Sequence, residues 1–335
     1  MRSWTRSRAL AGLGIAAIAV FAAPAPVLAD PPGPTDFEST IVAVEPAVDG
    51  VAASIVGGDA FFVLDVDPGI VVTVAGYQGE PYLEFDATGE VRENRQSPTY
   101  FASRTKAGAK VPDDVTASTP PSWTVVAHDG TYAWHDHRTH WMGGQPTGNR
   151  GDVVARGQVA LVVDGEPVTV RVETRWLPAA SPLPAAAGLL VGVLAAAGYV
   201  LARRRGLIAA DLVLGAAAVL ALGVGLVQYR SVPALTDPSP FGWLLPATAL
   251  VAAVAAAALD RRAALAALGA RLLAGAELVI WGVTRRSGLL AAILPTDAPF
   301  WLDRSATVAV AVVGLATVAL AAAHLIDLVT RPAVS

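Results

Sequence analysis

The sequence lacks cysteine altogether and is poor in charged residues, which make up only 16% of its 335 positions. Without cysteine, the chain can form neither disulfides nor thiolate metal sites. The charged fraction is about two-thirds of the ~25% found in ordinary soluble proteins. Hydrophobic residues account for 54% of the chain, and five long apolar runs follow residue 182. Each run is close to the ~20 residues that cross a bilayer, so a purely soluble globular enzyme is excluded.

Positive charge is scarce in the first half of the chain. Residues 30–182 contain 21 Asp and Glu against 10 Lys and Arg, a net charge of −11, whereas residues 183–335 carry a net charge of +4. An acidic surface repels phosphate groups, so nucleic acid is excluded as a partner. The same surface attracts cations, which makes a metal ion a candidate ligand.

The first 29 residues have the three parts of a secretory signal peptide. Arg2, Arg6 and Arg8 precede an apolar run over 9–23, and small residues end the segment at Ala29. Because such a segment is removed on export, we leave it out of the fold and predict that the domain after it is extracytoplasmic.

Residues 30–178 alternate between apolar and polar side chains over short stretches that Gly, Asp and Pro separate. This period of two indicates antiparallel β-structure. We therefore predict an exported all-β sandwich, immunoglobulin-like or cupredoxin-like, with a hairpin that turns at Asp129-Gly130. The predicted strands cover 40–45, 51–56, 60–65, 70–76, 82–86, 90–94, 123–128, 131–138, 158–163 and 168–175.

A Pro-rich linker at 179–184 separates this domain from the apolar part of the chain. We predict that 185–327 is an α-helical membrane bundle of five helices, followed by a cytoplasmic tail at 328–335. The helices are expected at about 183–202, 207–227, 241–259, 263–284 and 305–326.

The distribution of arginine suggests the orientation of this bundle. The cluster at 203–205 follows the first helix, and positive charge favours the cytoplasmic side. We therefore place the protein in the plasma membrane with its C-terminus in the cytoplasm. The apolar stretch 288–302 is too short to cross and contains two prolines, so we predict a re-entrant or interfacial segment.

Four of the five histidines fall between positions 128 and 140. Alternation along the predicted strand puts His135 and His137 on one face, ~7 Å apart at their backbones, while His128 lies ~20 Å along the hairpin and is left out. His140 can fold back where the strand ends. Imidazole suits zinc and copper, and a thioether favours copper. The predicted metal ligands are therefore His135, His137 and His140, with Asp136 and Met142 as secondary candidates.

A structural interpretation of the same passage stays open. In it, the histidines lie exposed at a strand end or brace the loop by hydrogen bonds, and Asp136 forms an ion pair with Arg138. Hydrolysis by metal-activated water has less support, because no separate general base is identifiable. Tyr82 is expected in the core, and a role for Glu80 or Tyr82 beside the histidines is the alternative.

The passage from Gly130 to Met142 resembles the copper-binding strand and loop of cupredoxins and multicopper oxidases, in which a Gly-Thr-Tyr opening leads into ligand histidines and a late methionine. The resemblance implies a copper site. It does not extend to a blue-copper centre, because the cysteine ligand of such a centre is missing and Asp136 stands near its place.

Two broader resemblances concern the layout of the chain. The signal peptide, the passages 76–83 and 97–100, and the multi-helix tail are similar to a group of uncharacterised actinobacterial membrane proteins. The layout also loosely resembles copper-resistance proteins that join a CopC-like β-domain to a CopD-like membrane part. The mature N-terminus would here be Asp30, where CopC has a ligand histidine.

Three acidic or arginine residues fall within the predicted membrane helices: Asp211, Arg271 and Glu277. Each costs at least ~2.5 kcal/mol to insert, so each should face the bundle and find a partner. Asp211 and Arg271 differ in depth by only ~6 Å, which predicts an ion pair between the second and fourth helices. Glu277 is rotated by roughly 120° from Arg271 and is a candidate for a proton or cation path.

The leading hypothesis is a membrane-anchored extracytoplasmic protein that binds copper, with zinc as the alternative metal, in copper handling or homeostasis. A second hypothesis is a non-catalytic envelope protein whose β-domain contacts another protein or a cell-wall component. A third is a transporter or sensor that uses the intramembrane charges. In all three, the lipid bilayer is a partner and no catalytic residue is assigned.

Overall fold

The computed structural model describes residues 32–106, 108–236 and 238–330. The predicted signal peptide and the last five residues lie outside these ranges. A β-rich domain comes first and five long helices follow it. This order confirms the prediction of an antiparallel β-domain followed by five apolar helices.

In its described residues, the β-domain contains ten strands and one short helix. In chain order these elements are β1 (Phe37–Glu45), β2 (Val51–Val56), β3 (Phe61–Val66), β4 (Val72–Ala75), β5 (Pro81–Phe85), β6 (Val91–Asn94), α1 (Pro98–Ala102), β7 (Trp123–Ala127), β8 (Thr131–Trp134), β9 (Val153–Val163) and β10 (Glu166–Trp176). One sheet has seven strands in the order β1-β10-β9-β4-β5-β6-β7, and the other has three in the order β2-β3-β8. All the paired strands are antiparallel.

One hydrophobic cluster lies between the two sheets. Phe62 and Leu64 of β3, in the smaller sheet, share this cluster with Val74 and Leu83 of the larger sheet, and all four are fully buried. Strand β9 shows how the sequence selects its inner face, because every second residue toward its end is buried. Burial of apolar area on this scale is the main favourable term in folding such a domain.

The predicted hairpin at Asp129-Gly130 is wrong. Strand β7 pairs with β6 in the larger sheet, whereas β8 pairs with β3 in the smaller one, so the connection crosses between sheets. Gly130 has a φ of 73°, and a Cβ there would lie 2.3 Å from the carbonyl oxygen of Val66. Glycine is therefore required at position 130 by this close approach. The Asp-Gly dipeptide also favours a two-residue hairpin, which is why the sequence misleads.

Strand β8 is also shorter than predicted. It ends at Trp134, so the histidines from His135 onward lie in an irregular segment and do not alternate along a strand. The strand stops where the carboxylate of Asp136 binds both the backbone and the side chain of Arg138. These local hydrogen bonds compete with the sheet ladder.

Among the described residues, five helices are long and apolar enough to cross a membrane. They are α2 (Leu183–Arg204), α3 (Ala209–Ser231), α4 (Phe241–Leu259), α5 (Ala264–Thr284) and α6 (Phe300–Thr330). Helix α6 begins five residues earlier than the predicted span. These helices indicate a multi-pass membrane protein.

The segment 286–299 connects α5 to α6 at the same end of the bundle as the β-domain. Thr35 and Ile293 form an isolated antiparallel bridge, with N–O distances of 3.1 and 2.9 Å. The backbone amide of Ala292 donates to the Asp36 carboxylate at 2.8 Å. The segment therefore lies against the β-domain, where it forms part of the junction between the two halves of the chain.

Candidate functional site

The segment after β8, residues 135–142, carries the predicted metal ligands and is largely buried. His135, Asp136 and His140 are each at most 3% exposed. Met142 lies at the edge of the segment and is about half exposed. The segment is thus part of the packed domain.

Asp136 holds the segment in place through an ion pair. Its Oδ1 accepts from Nε of Arg138 at 2.9 Å, and its Oδ2 accepts from Nη2 at 2.7 Å and from the Trp134 indole at 2.9 Å. Burial raises the pKa of Asp136, but the hydrogen bonds and charge of Arg138 outweigh burial and hold that pKa below its usual value. Both oxygens are engaged, and the ion pair with Arg138 is the one that the structural interpretation describes.

His137 packs against Tyr77. The two rings stack with centroids 5.6 Å apart, and the His137 amide donates to the Tyr77 hydroxyl at 2.9 Å. Burial, and then the charge of Asp136, raise the pKa of Tyr77, so this hydroxyl stays protonated. The Nε2 atom of His137 is buried and has no hydrogen-bond partner in the described part of the chain.

His140 is held by the main chain of Lys106. Its Nε2 lies 3.1 Å from the Lys106 carbonyl oxygen and 2.8 Å from the sulfur of Met142. A carbonyl oxygen can only accept, so Nε2 carries the hydrogen and Nδ1 carries the lone pair. Burial, followed by the charge of Lys106, lowers the pKa of His140 to about 4, so the ring is neutral at pH 7. Its Nδ1 is buried, again without a partner among the described residues.

The rings of His137 and His140 are neighbours. Their centroids are 5.3 Å apart and their planes are nearly perpendicular. An imidazole nitrogen binds zinc at about 2.0 Å, which puts the ring centroid about 3.2 Å from the ion. Two centroids 5.3 Å apart would then subtend roughly 110° at a shared ion, close to a tetrahedral angle.

The ring of His135 contacts other residues than those that hold His137 and His140. Its ring stacks on Phe61 with centroids 4.1 Å apart, and its Nδ1 bonds to the carbonyl oxygen of Ala60 at 2.7 Å. Within the described ranges, no group of three or more His, Asp or Glu side chains is arranged to hold a metal ion. The structure thus brings together His137, His140 and Met142. His128 lies exposed in the connection between β7 and β8.

A buried ion pair beside this segment had no signal in the sequence. Asp59 is fully buried, and its Oδ1 lies 2.5 Å from Nζ of Lys106, the residue whose carbonyl holds His140. Its Oδ2 is buried and unbonded among the described residues. Asp59 and Lys106 are 47 residues apart, and neither lies in a recognisable motif.

The same ion pair borders a cleft of about 650 Å³ between the β-domain and the segment 286–299. We call it the junction cleft. Its lining residues from the β-domain side include Phe37, Asp59, Lys106, Trp141, Gly144 and Arg150, and those from the membrane side include Ser287, Leu290 and Ala291.

The intramembrane charges form a second cluster, at the end of the bundle away from the β-domain. Arg271 binds both oxygens of Asp211 at 2.9 Å, which confirms the predicted ion pair. Arg271 also binds Asp260 at 2.7 Å, and Asp260 lies 3.6 Å from Arg203. Asp260 was not among the predicted partners, although its position in the turn after α4 puts it at the depth of Asp211.

Glu277 lies apart from this cluster. It is 8% exposed, and the polar side chain that faces it is Thr248 of α4. Its Oε2 has no hydrogen-bond partner in the described part of the chain. The structure therefore separates Glu277 from Arg271, as the helical rotation between them predicts.

Comparison of this chain with models of protein families, with curated proteins and with solved structures finds no match.

Proposed function

We propose that the β-domain binds a transition metal ion, copper in preference to zinc, through His137 and His140. The observation that carries this proposal is a pair of buried ring nitrogens, Nε2 of His137 and Nδ1 of His140. Neither has a hydrogen-bond partner in the described part of the chain, and their rings are adjacent.

Energetics favour a ligand for this pair. A buried polar atom without a hydrogen bond costs about 1–3 kcal/mol, so two of them are a considerable cost for one small domain. A metal ion would accept the lone pairs of both nitrogens. His140 also donates its other ring nitrogen to a backbone carbonyl, an arrangement that typically orients metal-bound histidines.

The donor types support copper. Two imidazoles suit copper as well as zinc, and a given set of nitrogen ligands binds divalent copper more tightly than divalent zinc. The sulfur of Met142 lies at Nε2 of His140, on the opposite side of the ring from Nδ1, and is therefore outside the proposed ligand set. The low pKa of His140, about 4, means that no proton has to leave this ring at pH 7 when metal binds. His135 is outside the proposed set, because its ring is held against Phe61 and Ala60.

The architecture supports a role at the cell envelope. Two sheets around one core support a β-sandwich of immunoglobulin-like or cupredoxin-like type. The sequence pattern supports export of this domain, and the five helices would anchor it in the plasma membrane with the C-terminus in the cytoplasm. We infer a function in copper handling outside the cytoplasm.

The test is metal binding by the full chain, purified in detergent from cells grown with added copper. Wild type is expected to bind one Cu(I) per chain in competition with a chromogenic chelator. The double variant H137A/H140A should lose at least about a hundredfold in affinity, because it removes both proposed ligands and each tenfold step corresponds to only about 1.4 kcal/mol. M142L should bind Cu(I) and Zn(II) as wild type does, because the sulfur lies at Nε2 of His140 and the proposed metal-binding nitrogen is Nδ1.

His128→Ala is the matched control, because it removes an exposed histidine from the same region. It should bind copper as wild type does. A folded wild type that binds neither metal, or an H137A/H140A variant with the affinity of H128A, would overturn the proposal. Cooperative thermal unfolding of each variant establishes that it is folded.

A further inference from the structure

The junction cleft lies at the depth expected of lipid headgroups. Helices α4 and α6 both begin at the β-domain end, and they begin with exposed aromatic residues, Phe241 and Trp301. Exposed aromatic side chains at the ends of membrane helices mark the interface between the hydrocarbon and the headgroups. Leu290 on the membrane side of the cleft is 64% exposed. The cleft therefore opens beside the interface.

The cleft carries charges of both signs. Lys106 pairs with Asp59 on one part of the lining, and Arg150 pairs with Asp36 at 2.9 Å on another. A ligand with only one sign of charge would be repelled by the residue of like charge in each pair. A ligand with a positive and a negative group would find a partner for both.

Asp59 adds a specific requirement. It is fully buried, it lines the cleft, and its Oδ2 accepts no hydrogen bond from the described residues. An ionised carboxylate oxygen in this position needs a donor, and a charged N–H group is the strongest one. A quaternary ammonium has no N–H to donate.

We propose that the junction cleft binds the headgroup of a phospholipid that carries a primary ammonium and a phosphate, as in phosphatidylethanolamine. The ammonium donates to Oδ2 of Asp59, and the phosphate lies between Lys106 and Arg150. A volume of about 650 Å³ is within the range of small-molecule sites. Trp141 and Leu290 contact the glycerol end of the lipid, which leaves through the membrane side of the cleft.

The test is native mass spectrometry of the full chain in detergent, titrated with phosphatidylethanolamine, phosphatidylcholine and phosphatidylglycerol of equal chain length. Wild type should retain phosphatidylethanolamine about tenfold better than the other two, because only it offers both groups. Asp59→Asn should abolish this preference, and Asp113→Asn, which removes an exposed carboxylate of the same domain, should keep it.

A second variant tests the cleft without substituting a buried carboxylate. A Cβ at Gly144 meets no atom within 4 Å, and its φ is not positive, so a side chain there is tolerated. Gly144→Trp should fold and close the cleft to lipid, whereas Gly144→Ala should leave it open. Equal retention of the three lipids by wild type, or an unchanged preference in G144W, would overturn the proposal.

Competition with soluble glycerophosphoethanolamine distinguishes a site for a lipid from a site for a free molecule that carries the same ammonium and phosphate groups. It should fail to displace phosphatidylethanolamine at a hundredfold excess, because the acyl chains contribute most of the binding. Displacement at equal concentration would overturn the assignment to a lipid.

Discussion

At the scale of single residues, Glu80 shows how the β-domain keeps a buried carboxylate charged. Its Oε1 accepts from Ser97 at 2.6 Å and from the Thr99 hydroxyl at 2.7 Å, and its Oε2 accepts from the Gln78 amide at 3.0 Å. Burial raises its pKa, but these hydrogen bonds outweigh burial and lower the pKa below the ordinary value of 4.5. Glu80 thus braces the turn before β5 and does not reach the histidines.

Glu80→Gln should lower the local stability of the β-domain by about 1.5–3 kcal/mol, the usual value of hydrogen bonds to a charged group. Because the folded pKa is depressed, the contribution of Glu80 is present above the ordinary pKa and is lost as pH falls through the folded pKa. Hydrogen exchange of β5 peptides between pH 7 and about pH 2.5 measures it, because the folded pKa lies below 4.5. The exposed Glu166→Gln should match wild type, and an equal response from the two variants would contradict this account.

The sequence identifies the histidines but not what holds them. The spacing of His137 and His140 marks them as candidates, and the structure places their rings side by side. Their supports, Tyr77 and Lys106, are 60 and 34 residues away in the chain. Spacing and alternation describe only nearby residues, so no local pattern could have indicated these contacts.

At the scale of elements, the helices were easier to predict than the strands. A membrane helix satisfies its own backbone hydrogen bonds, so its position follows from local hydropathy alone, and the bounds of α4 agree with the predicted 241–259. A strand depends on its partner. Strands β7 and β8 have clear alternation, yet they belong to different sheets, because the partner of β8 is β3, some 70 residues earlier.

The ion pair between α3 and α5 is a second feature at this scale. Arg271→Leu leaves the carboxylate of Asp211 buried without a counterion and should destabilise the bundle by about 3–5 kcal/mol. The double variant D211L/R271L removes both charges and should be clearly more stable than R271L. Thermal denaturation in detergent, followed by loss of monomer on size exclusion, measures the difference.

Arginine 262 provides the control for this comparison, since it is exposed in the turn before α5. Arg262→Leu should denature at the wild-type temperature. If D211L/R271L were no more stable than R271L, the cost would come from packing around the lost side chains and the ion-pair account would be wrong.

At the scale of the whole molecule, the β-domain and the helices are joined through Asp36. One carboxylate oxygen accepts from the Ala292 amide, and the other binds Arg150 at 2.9 Å. Asp36 therefore connects the first strand, the loop before β9 and the segment 286–299. Because this contact is between two halves of the chain, it governs how rigidly the β-domain sits on the bundle.

Asp36→Ala should speed hydrogen exchange in 286–299 by about tenfold, because one hydrogen bond to a charged group is lost. Exchange in the interior of α3 should not change. Asp129→Ala, in the exposed connection between β7 and β8, is the control. Unchanged exchange in 286–299 would show that the Thr35–Ile293 bridge alone holds the junction.

The pairing of Thr35 with Ile293 also sets an order for biosynthesis. Asp36 and Ala292 are 256 residues apart, and the ribosome adds about 5–20 residues per second. The partner of Thr35 is therefore made roughly 10–50 s after Thr35 itself. During that interval the first four helices are synthesised, and Thr35 has no partner from the segment 286–299. The last connecting segment to be synthesised is thus the one that completes the first domain.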